Sequence, residues 1–210
     1  MKNRSKLNKR LILPALIIGL AAAAAFDAFA LSCDLSSVAD TVLRLHVVAE
    51  SDREDDQFVK LKVRDTILTE TQRIAGSAKN KGEFVALVKE HLSDIERLAN
   101  DTISALGYDY TAHACFERAD FPTREYNGVT LPAGRYDALK VVIGRGEGQN
   151  FWCVMFPPLC GGAVEAKESK EYLKDNLSEG AFMMITDPQS SVRYELRLKV
   201  VDIINEIGSE

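Results

Sequence analysis

The stretch TVLRLHVVAESDRE, Thr41–Glu54, decides the fold, because a strand pattern passes directly into a helix start. Its first ten residues, Thr41–Glu50, alternate in the manner of a strand. One face of the predicted strand is wholly apolar and consists of Leu43, Leu45 and Val47. The opposite face is more polar, because it carries Arg44 and His46 among its apolar side chains. The sequence therefore predicts a strand with one core face and one mixed face.

Two helices are predicted after this strand. Ser51 and Glu54 have the capping-box spacing, which marks the start of a helix that ends near Gly76. A second apolar stripe of helical period begins near Lys81. It ends at Gly107, because glycine readily adopts the left-handed conformation that stops a helix.

Three more strands are predicted downstream of the helices. YDYTAHACFE, Tyr108–Glu117, alternates, and the connection after it contains Asn127-Gly128, a strong tight-turn signal. RYDALKVVI and FWCVMF follow as two strands joined by GRGEGQN, a glycine-rich loop. FWCVMF is apolar on both faces, which favours a covered, central position in the sheet.

The order of the elements predicts a single α+β domain over residues 41–210. Its sheet is expected to be largely antiparallel, with helices packed on one face. A last helix is predicted after Pro188, although Val192–Val200 also alternates as a strand would. The apolar residues that keep helical spacing there are Val192, Leu196, Val200, Ile203 and Ile207.

The N-terminus has the pattern of a signal peptide over residues 1–30. Five basic residues and no acid precede an uncharged, mostly apolar run, Leu11–Phe26, and Ala28-Phe29-Ala30 fits the cleavage pattern. An uncleaved membrane anchor is the alternative, but the uncharged run is shorter than the ~20 residues of a spanning helix. Residues 31–40 are predicted to form a polar lead-in to the domain.

Charge limits the classes of partner. The formal net charge is −5, and residues 1–30 hold five of the 26 basic and one of the 31 acidic residues. The exported part therefore carries a formal charge of about −9. This balance argues against binding to nucleic acid or to anionic lipid, and it fits a domain that meets proteins.

Export allows disulfides, and the chain has four cysteines, Cys33, Cys115, Cys153 and Cys160. Cys153 and Cys160 are seven residues apart, so the chain must turn back for them to bond. Pro157-Pro158 forbids strand continuation and provides such a turn. We predict a structural disulfide here, and the alternative is a redox pair, which usually has the closer CxxC spacing.

A catalytic or metal site would have to use His46, His113 or Cys115. These side chains could form a zinc site or a cysteine–histidine pair if the strands brought them together. The sequence has no HExxH, CxxC or GxSxG motif to support this chemistry. We therefore predict no catalytic residues, no metal, no other cofactor and no direct small-molecule substrate. The alternative is an exported hydrolase or metal-dependent enzyme that uses His46, His113 or Cys115.

Three stretches resemble the stage II sporulation protein R family of endospore-forming bacteria. They are the signal-like N-terminus, LRLHVVAESDREDDQFVKLKVRD at Leu43–Asp65, and FPTREYNGVTLPAGRYDALKVVIGRGEGQNFWCVMFPPLC at Phe121–Cys160. The sequence departs from the expected pattern at Phe151, in place of a second tryptophan, and at Glu50, in place of an asparagine.

The resemblance implies an intercompartmental signal of sporulation. Such a protein is made in the forespore and exported into the space between the forespore and mother-cell membranes. It activates a membrane-embedded aspartic protease there, and the protease processes the precursor of the mother-cell sigma factor E. The protein itself would then be a ligand and not an enzyme.

Three parts of the chain are candidates for the contact with the protease. The first is the segment Phe121, Pro122, Thr123 and Arg124. The second is the loop that contains Trp152, Phe156, Pro157 and Pro158. The third is a patch of Arg44, His46 and Asp52. Whether Trp152 and Phe156 face the core or a partner stays open at this point.

Overall fold

A computed structural model of the chain describes residues 9–160 and 163–187. The last predicted helix, after Pro188, lies outside the described residues. The helices are α1 Lys9–Thr41, α2 Glu54–Ala75, α3 Lys81–Glu90, α4 Leu92–Ala105, α5 Ala163–Asn176 and α6 Glu179–Thr186. The strands are β1 Leu43–Val48, β2 Ala112–Phe121, β3 Arg124–Tyr126, β4 Val129–Leu131, β5 Gly134–Ile143 and β6 Asn150–Phe156.

Four strands form the main sheet in the order β2-β5-β1-β6. β1 pairs in parallel with β5 and antiparallel with β6, and β5 pairs antiparallel with β2. The prediction of an α+β domain with a largely antiparallel sheet is thereby confirmed. β3 and β4 form a separate hairpin, and the predicted tight turn has positive φ angles at Asn127 (49°) and Gly128 (75°).

The first face of the sheet packs against α2, α3 and α4. Alternation along β1 directs Leu43, Leu45 and Val47 to this side, where all three are fully buried. The helices contribute the facing apolar side chains of this core: Val59, Val63, Ile67, Ala75, Phe84, Val88, Ile95, Ala99 and Ile103. The core of the domain therefore lies between one sheet face and three helices, as the apolar stripes predict.

The second face of the sheet is also partly covered, so the prediction of helices on one face only was wrong. Val42, Ala138 and Val154 make this face apolar as well, and burying it is favourable. The covering residues come from α1, β4, α5 and α6: Leu31, Val38, Ala39, Val129, Leu131, Leu173, Ala181, Met184 and Ile185.

Helix α1 joins the apolar N-terminal segment to this second core without a break. Ile12–Thr41 has the length and apolar composition to cross a membrane, and a signal sequence would share both properties. The predicted lead-in, residues 31–40, forms the last turns of α1, where Leu31 and Val38 are buried. Cleavage and anchoring therefore both stay predictions.

Two local predictions for the helices were wrong. Ser51 is not the cap of α2, because the helix begins at Glu54 after Arg53. The Ser51 hydroxyl instead donates to the buried carboxylate of Asp56. The predicted second helix is divided at His91 into α3 and α4, while the expected stop at Gly107 has a φ of 85°.

Strand β6 lies at an edge of the sheet and not in its centre. Both of its faces are nevertheless covered, because Cys153 and Met155 belong to the first core and Val154 to the second. The chain after β6 folds back along its open side, where the Val154 N–H donates to Cys160 Sγ at 3.2 Å. The edge position explains how an apolar strand can end in a folded-back loop.

Candidate protein-interaction site

Arg44 is the centre of the candidate site. It projects from β1 to the second sheet face, and its side chain is fully buried. The guanidinium carbon lies 4.1 Å from the ring centroid of Phe121, 4.8 Å from that of Tyr136 and 5.7 Å from that of Tyr126. Nη2 donates to the Tyr126 hydroxyl at 2.8 Å. Among the described residues, no acceptor lies within hydrogen-bond distance of Nε or Nη1.

The buried environment of Arg44 disfavours the positive charge of its guanidinium group. Burial lowers the pKa of Arg44, and the hydrogen bond with Tyr126 opposes that shift. Removing an unpaired charge from water costs several kcal/mol, and each ring contact offsets about 0.5–2 kcal/mol of this. No carboxylate of the described residues forms an ion pair with Arg44. Its burial is therefore poorly explained by stability alone.

His46 lies beside Arg44 on the same strand face. Its imidazole stacks on the indole of Trp152, with ring centroids 3.9 Å apart, and it meets the edge of Phe121 at 6.1 Å. Nε2 is 2.7 Å from Asn150 Oδ1. Burial lowers the pKa of His46 because it disfavours the imidazolium, while the hydrogen bond with Asn150 acts in the opposite direction. The neutral ring is the form that fits this environment.

Phe121 and Trp152 close the cluster, with ring centroids 4.6 Å apart. We call the whole group the aromatic cluster, and its members are Arg44, His46, Phe121, Tyr126, Tyr136 and Trp152. Four of them, Arg44, His46, Phe121 and Trp152, were predicted as candidates from three separate parts of the sequence. The structure brings those four together. Trp152 is half-buried, so one side of the cluster reaches the surface.

Tyr126 and Tyr136 were missed by the sequence reasoning. The alternation of side chains along β5 could have identified Tyr136, since it lies on the same face of the strand as Ala138. Its hydroxyl donates to the Pro132 carbonyl at 2.7 Å, and burial raises its pKa to about 12. Tyr126 had no such signal, because the hairpin position that places it over Arg44 depends on tertiary contacts.

Several candidates lie outside the cluster. Phe156 faces the first core, where its ring centroid lies 5.3 Å from Phe84 and 5.1 Å from Tyr172. Asp52 accepts a hydrogen bond from the Gln149 N–H at 2.7 Å, at the far end of β1. The rest of the Phe121–Arg124 segment follows the cluster in the chain, and its residues Pro122 and Arg124 are exposed. Thr123 Oγ1 accepts a hydrogen bond from the Ala133 N–H at 3.0 Å.

The Pro157-Pro158 turn connects three parts of the domain. Cys153 and Cys160 form the expected disulfide, with Cα atoms 6.3 Å apart. The Pro158 carbonyl accepts from Ser169 Oγ in α5, and the Leu159 carbonyl accepts from Asn127 Nδ2 in the hairpin, both at 2.8 Å. The turn therefore holds α5 and the β3–β4 hairpin against β6, and its role in the described contacts is structural.

The residues of the alternative enzyme hypothesis do not converge. His46 on β1 and Cys115 on β2 both pair with Lys140 of the intervening strand β5, so their Cα atoms are roughly 10 Å apart. His113 is exposed and lies 2.9 Å from Glu96 through Nδ1. Burial raises the pKa of Cys115, which disfavours a nucleophilic thiolate. Within residues 9–160 and 163–187, no three histidine, cysteine or acidic side chains are grouped as metal ligands.

The fold and the site together define a class of protein. Its members have an α+β domain that follows an apolar N-terminal helix, and an aromatic cluster surrounds a buried arginine in the domain. The chain belongs to the stage II sporulation protein R family, whose family model matches residues 39–166. Every member of the aromatic cluster lies within that match. No solved structure matches the chain.

A curated relative gives the same family. Stage II sporulation protein R of Bacillus subtilis (strain 168) is 33% identical over 143 residues, which are 65% of this chain and 64% of the relative. The chain thus covers slightly less than two thirds of that relative's length. The family resemblance inferred from the sequence is confirmed, and the chain is a member of a sporulation protein family.

Proposed function

We propose that this protein is a secreted signal of sporulation that activates a membrane-embedded aspartic protease. The protease would then process the precursor of the mother-cell sigma factor E. The protein acts as a ligand and not as an enzyme. Family membership supports the sporulation role, and the acidic exported domain suits a protein partner better than nucleic acid.

The observation that carries the proposal is the convergence of separate candidate segments on one sheet face. Phe121 on β2 contacts both Trp152 on β6 and Arg44 on β1. Aromatic residues and arginine dominate the energetics of protein interfaces. Exposed Pro122 and Arg124 extend this surface beside the half-buried Trp152. A partner could therefore contact Trp152, Pro122 and Arg124 at the surface above the buried part of the cluster.

The proposed location is the space between the forespore and mother-cell membranes. Helix α1 is compatible with secretion from the forespore or with anchoring in its membrane. In both cases the domain lies on the far side of the membrane, because the basic N-terminus stays inside. The extracytoplasmic part of the protease would be accessible to it there.

Deletion of the gene tests the proposal in a sporulating strain. The sigma factor precursor should still accumulate, but its mature form should be missing on an immunoblot. Expression of the wild-type chain from the forespore should restore processing. Normal processing in the deletion strain would rule out the proposed function.

Two alanine variants test the alternative of an exported hydrolase. His113→Ala and Cys115→Ala should both support normal processing, because neither side chain belongs to the aromatic cluster. Loss of processing in either variant, at a normal protein level and unfolding temperature, would favour an enzyme.

A further inference from the structure

Arg44 differs from the other buried or half-buried cations in the described part of the chain. Lys81 pairs with Asp137 at 2.7 Å and donates to the Ala39 carbonyl. Lys60 donates to the Gln149 carbonyl at 3.0 Å. Arg44 is more deeply buried than either, yet among the described residues its one hydrogen-bond acceptor is the hydroxyl of Tyr126. Nε and Nη1 have no hydrogen-bond acceptor within residues 9–160 and 163–187.

We propose that Arg44 receives an acidic side chain of the protein partner. The carboxylate would accept hydrogen bonds from Nε and Nη1, which lack an acceptor in the described part of the chain. This inference rests on the proposed function and names the chemistry of its contact. It makes the aromatic cluster a specific receptor for one acidic group.

The chemistry of the guanidinium favours a carboxylate. Arginine presents five N–H donors in a rigid planar fork that matches a carboxylate, and such charged pairs give short, strong hydrogen bonds. The pair is strongest where water is excluded, and the three rings around Arg44 provide that environment. A neutral acceptor would leave the buried charge without a counter-charge.

The rings that cover Arg44 belong to Phe121, Tyr126 and Tyr136, which lie on three separate strands. Phe121 ends β2, Tyr126 ends β3, and half-buried Trp152 lies on β6 against Phe121. The partner would approach Arg44 from the side of Trp152, because Trp152 is half-buried and contacts Phe121 of this cover.

Substitution of Arg44 separates binding from folding. Arg44→Met keeps similar bulk and removes the charge, and Arg44→Lys keeps the charge without the planar fork. Lys81→Met is the matched control, because it removes a cation that already has an acidic partner. The thermal unfolding midpoint of each full-length chain is measured in detergent. Processing of the sigma factor precursor is measured in sporulating cells at matched protein levels.

The account predicts opposite patterns for the two positions. Arg44→Met should unfold at the wild-type temperature or above, while processing falls at least tenfold. Arg44→Lys should fold and retain only part of the processing. Lys81→Met should unfold at a lower temperature and still support processing at the wild-type rate.

Two results would overturn the inference. One is a folded Arg44→Met chain that supports normal processing. If Arg44→Met does not fold, the second result is an Arg44→Lys chain that folds and supports processing at the wild-type rate. Both results are interpreted only if the deletion strain fails to process the precursor. Normal processing in the deletion strain would instead contradict the proposed function itself.

Discussion

The indole of Trp152 stacks on the imidazole of His46, with ring centroids 3.9 Å and ring planes 23° apart. The register of β1 against β6 causes this contact, because His46 and Trp152 are direct cross-strand neighbours. Two side chains far apart in the sequence thus form one side of the aromatic cluster. Their contact joins the buried Arg44 environment to the surface.

Truncation of Trp152 should weaken the fold moderately. Trp152→Ala removes contacts with His46 and Phe121, and we expect a loss of about 2 kcal/mol, below the 3–5 kcal/mol of a fully buried ring. Trp152→Phe should lose about half as much. Urea unfolding followed by circular dichroism measures the difference. The control is Phe58→Ala, which truncates an exposed aromatic residue and should change stability by about 0.5 kcal/mol or less. Equal losses for Trp152→Ala and Phe58→Ala would contradict the packing of Trp152.

His46 should make the fold sensitive to acid. Its pKa is lowered in the folded state by burial, so the unfolded chain binds a proton more readily than the folded chain. The stabilising contribution of neutral His46 is therefore fully present above the ordinary histidine pKa of about 6.5. It is lost as the pH falls below that value toward the lowered pKa of the folded state.

The matched variant for this test is His46→Gln, which cannot titrate at this position. Thermal unfolding of both chains between pH 8 and pH 5 should show that the wild type loses more stability on acidification. Parallel curves for the two chains would mean that burial of His46 does not favour its neutral form.

Removal of the disulfide should destabilise the domain by about 2–3 kcal/mol, because the cross-link closes a short loop in the unfolded chain. Cys160→Ala is the suitable variant, since Cys160 is exposed and its loss leaves no buried cavity. The variant should also be insensitive to reductant, whereas the wild type should lose the same stability when reduced. Cys33→Ala, at an exposed free cysteine, is the control and should behave as the wild type. A wild type unaffected by reductant would contradict this prediction.

Asp56 should contribute to stability through hydrogen bonds. The buried carboxylate accepts from the Ser51 hydroxyl and, at 3.0 Å, from the Tyr110 hydroxyl. Asp56→Ala leaves these groups without their acceptor and should lower the free energy of unfolding by about 1–3 kcal/mol. Tyr110→Phe removes one donor only and should have a smaller effect. Denaturant unfolding of both variants checks this order, and a larger loss for Tyr110→Phe would reverse it.

The strand pattern and the helix stripes could be predicted because each depends on local periodicity. Leu43, Leu45 and Val47 show the core face of β1, and Asn127-Gly128 shows the hairpin turn. The cover on the second face could not be predicted in the same way. It depends on α1 continuing past Ala30 and on the packing of β4 and α6.

The candidate site shows the same division. Arg44 and His46 were recognisable as polar side chains on a mostly apolar strand. Their contact with Phe121 and Trp152 depends on strand order and register, which a single sequence does not contain. The edge position of β6 was missed for a related reason, because its two apolar faces suggest a central strand equally well.

Site-specific photocrosslinking from position 152 tests the central claim most directly. A benzophenone side chain would replace Trp152 in sporulating cells, and a matched chain would carry it at exposed Phe58 on α2. Both chains must first support processing of the sigma factor precursor. The account predicts a crosslink to the membrane-embedded protease from position 152 and none from position 58. A functional chain that crosslinks to the protease from position 58, and not from position 152, would contradict it.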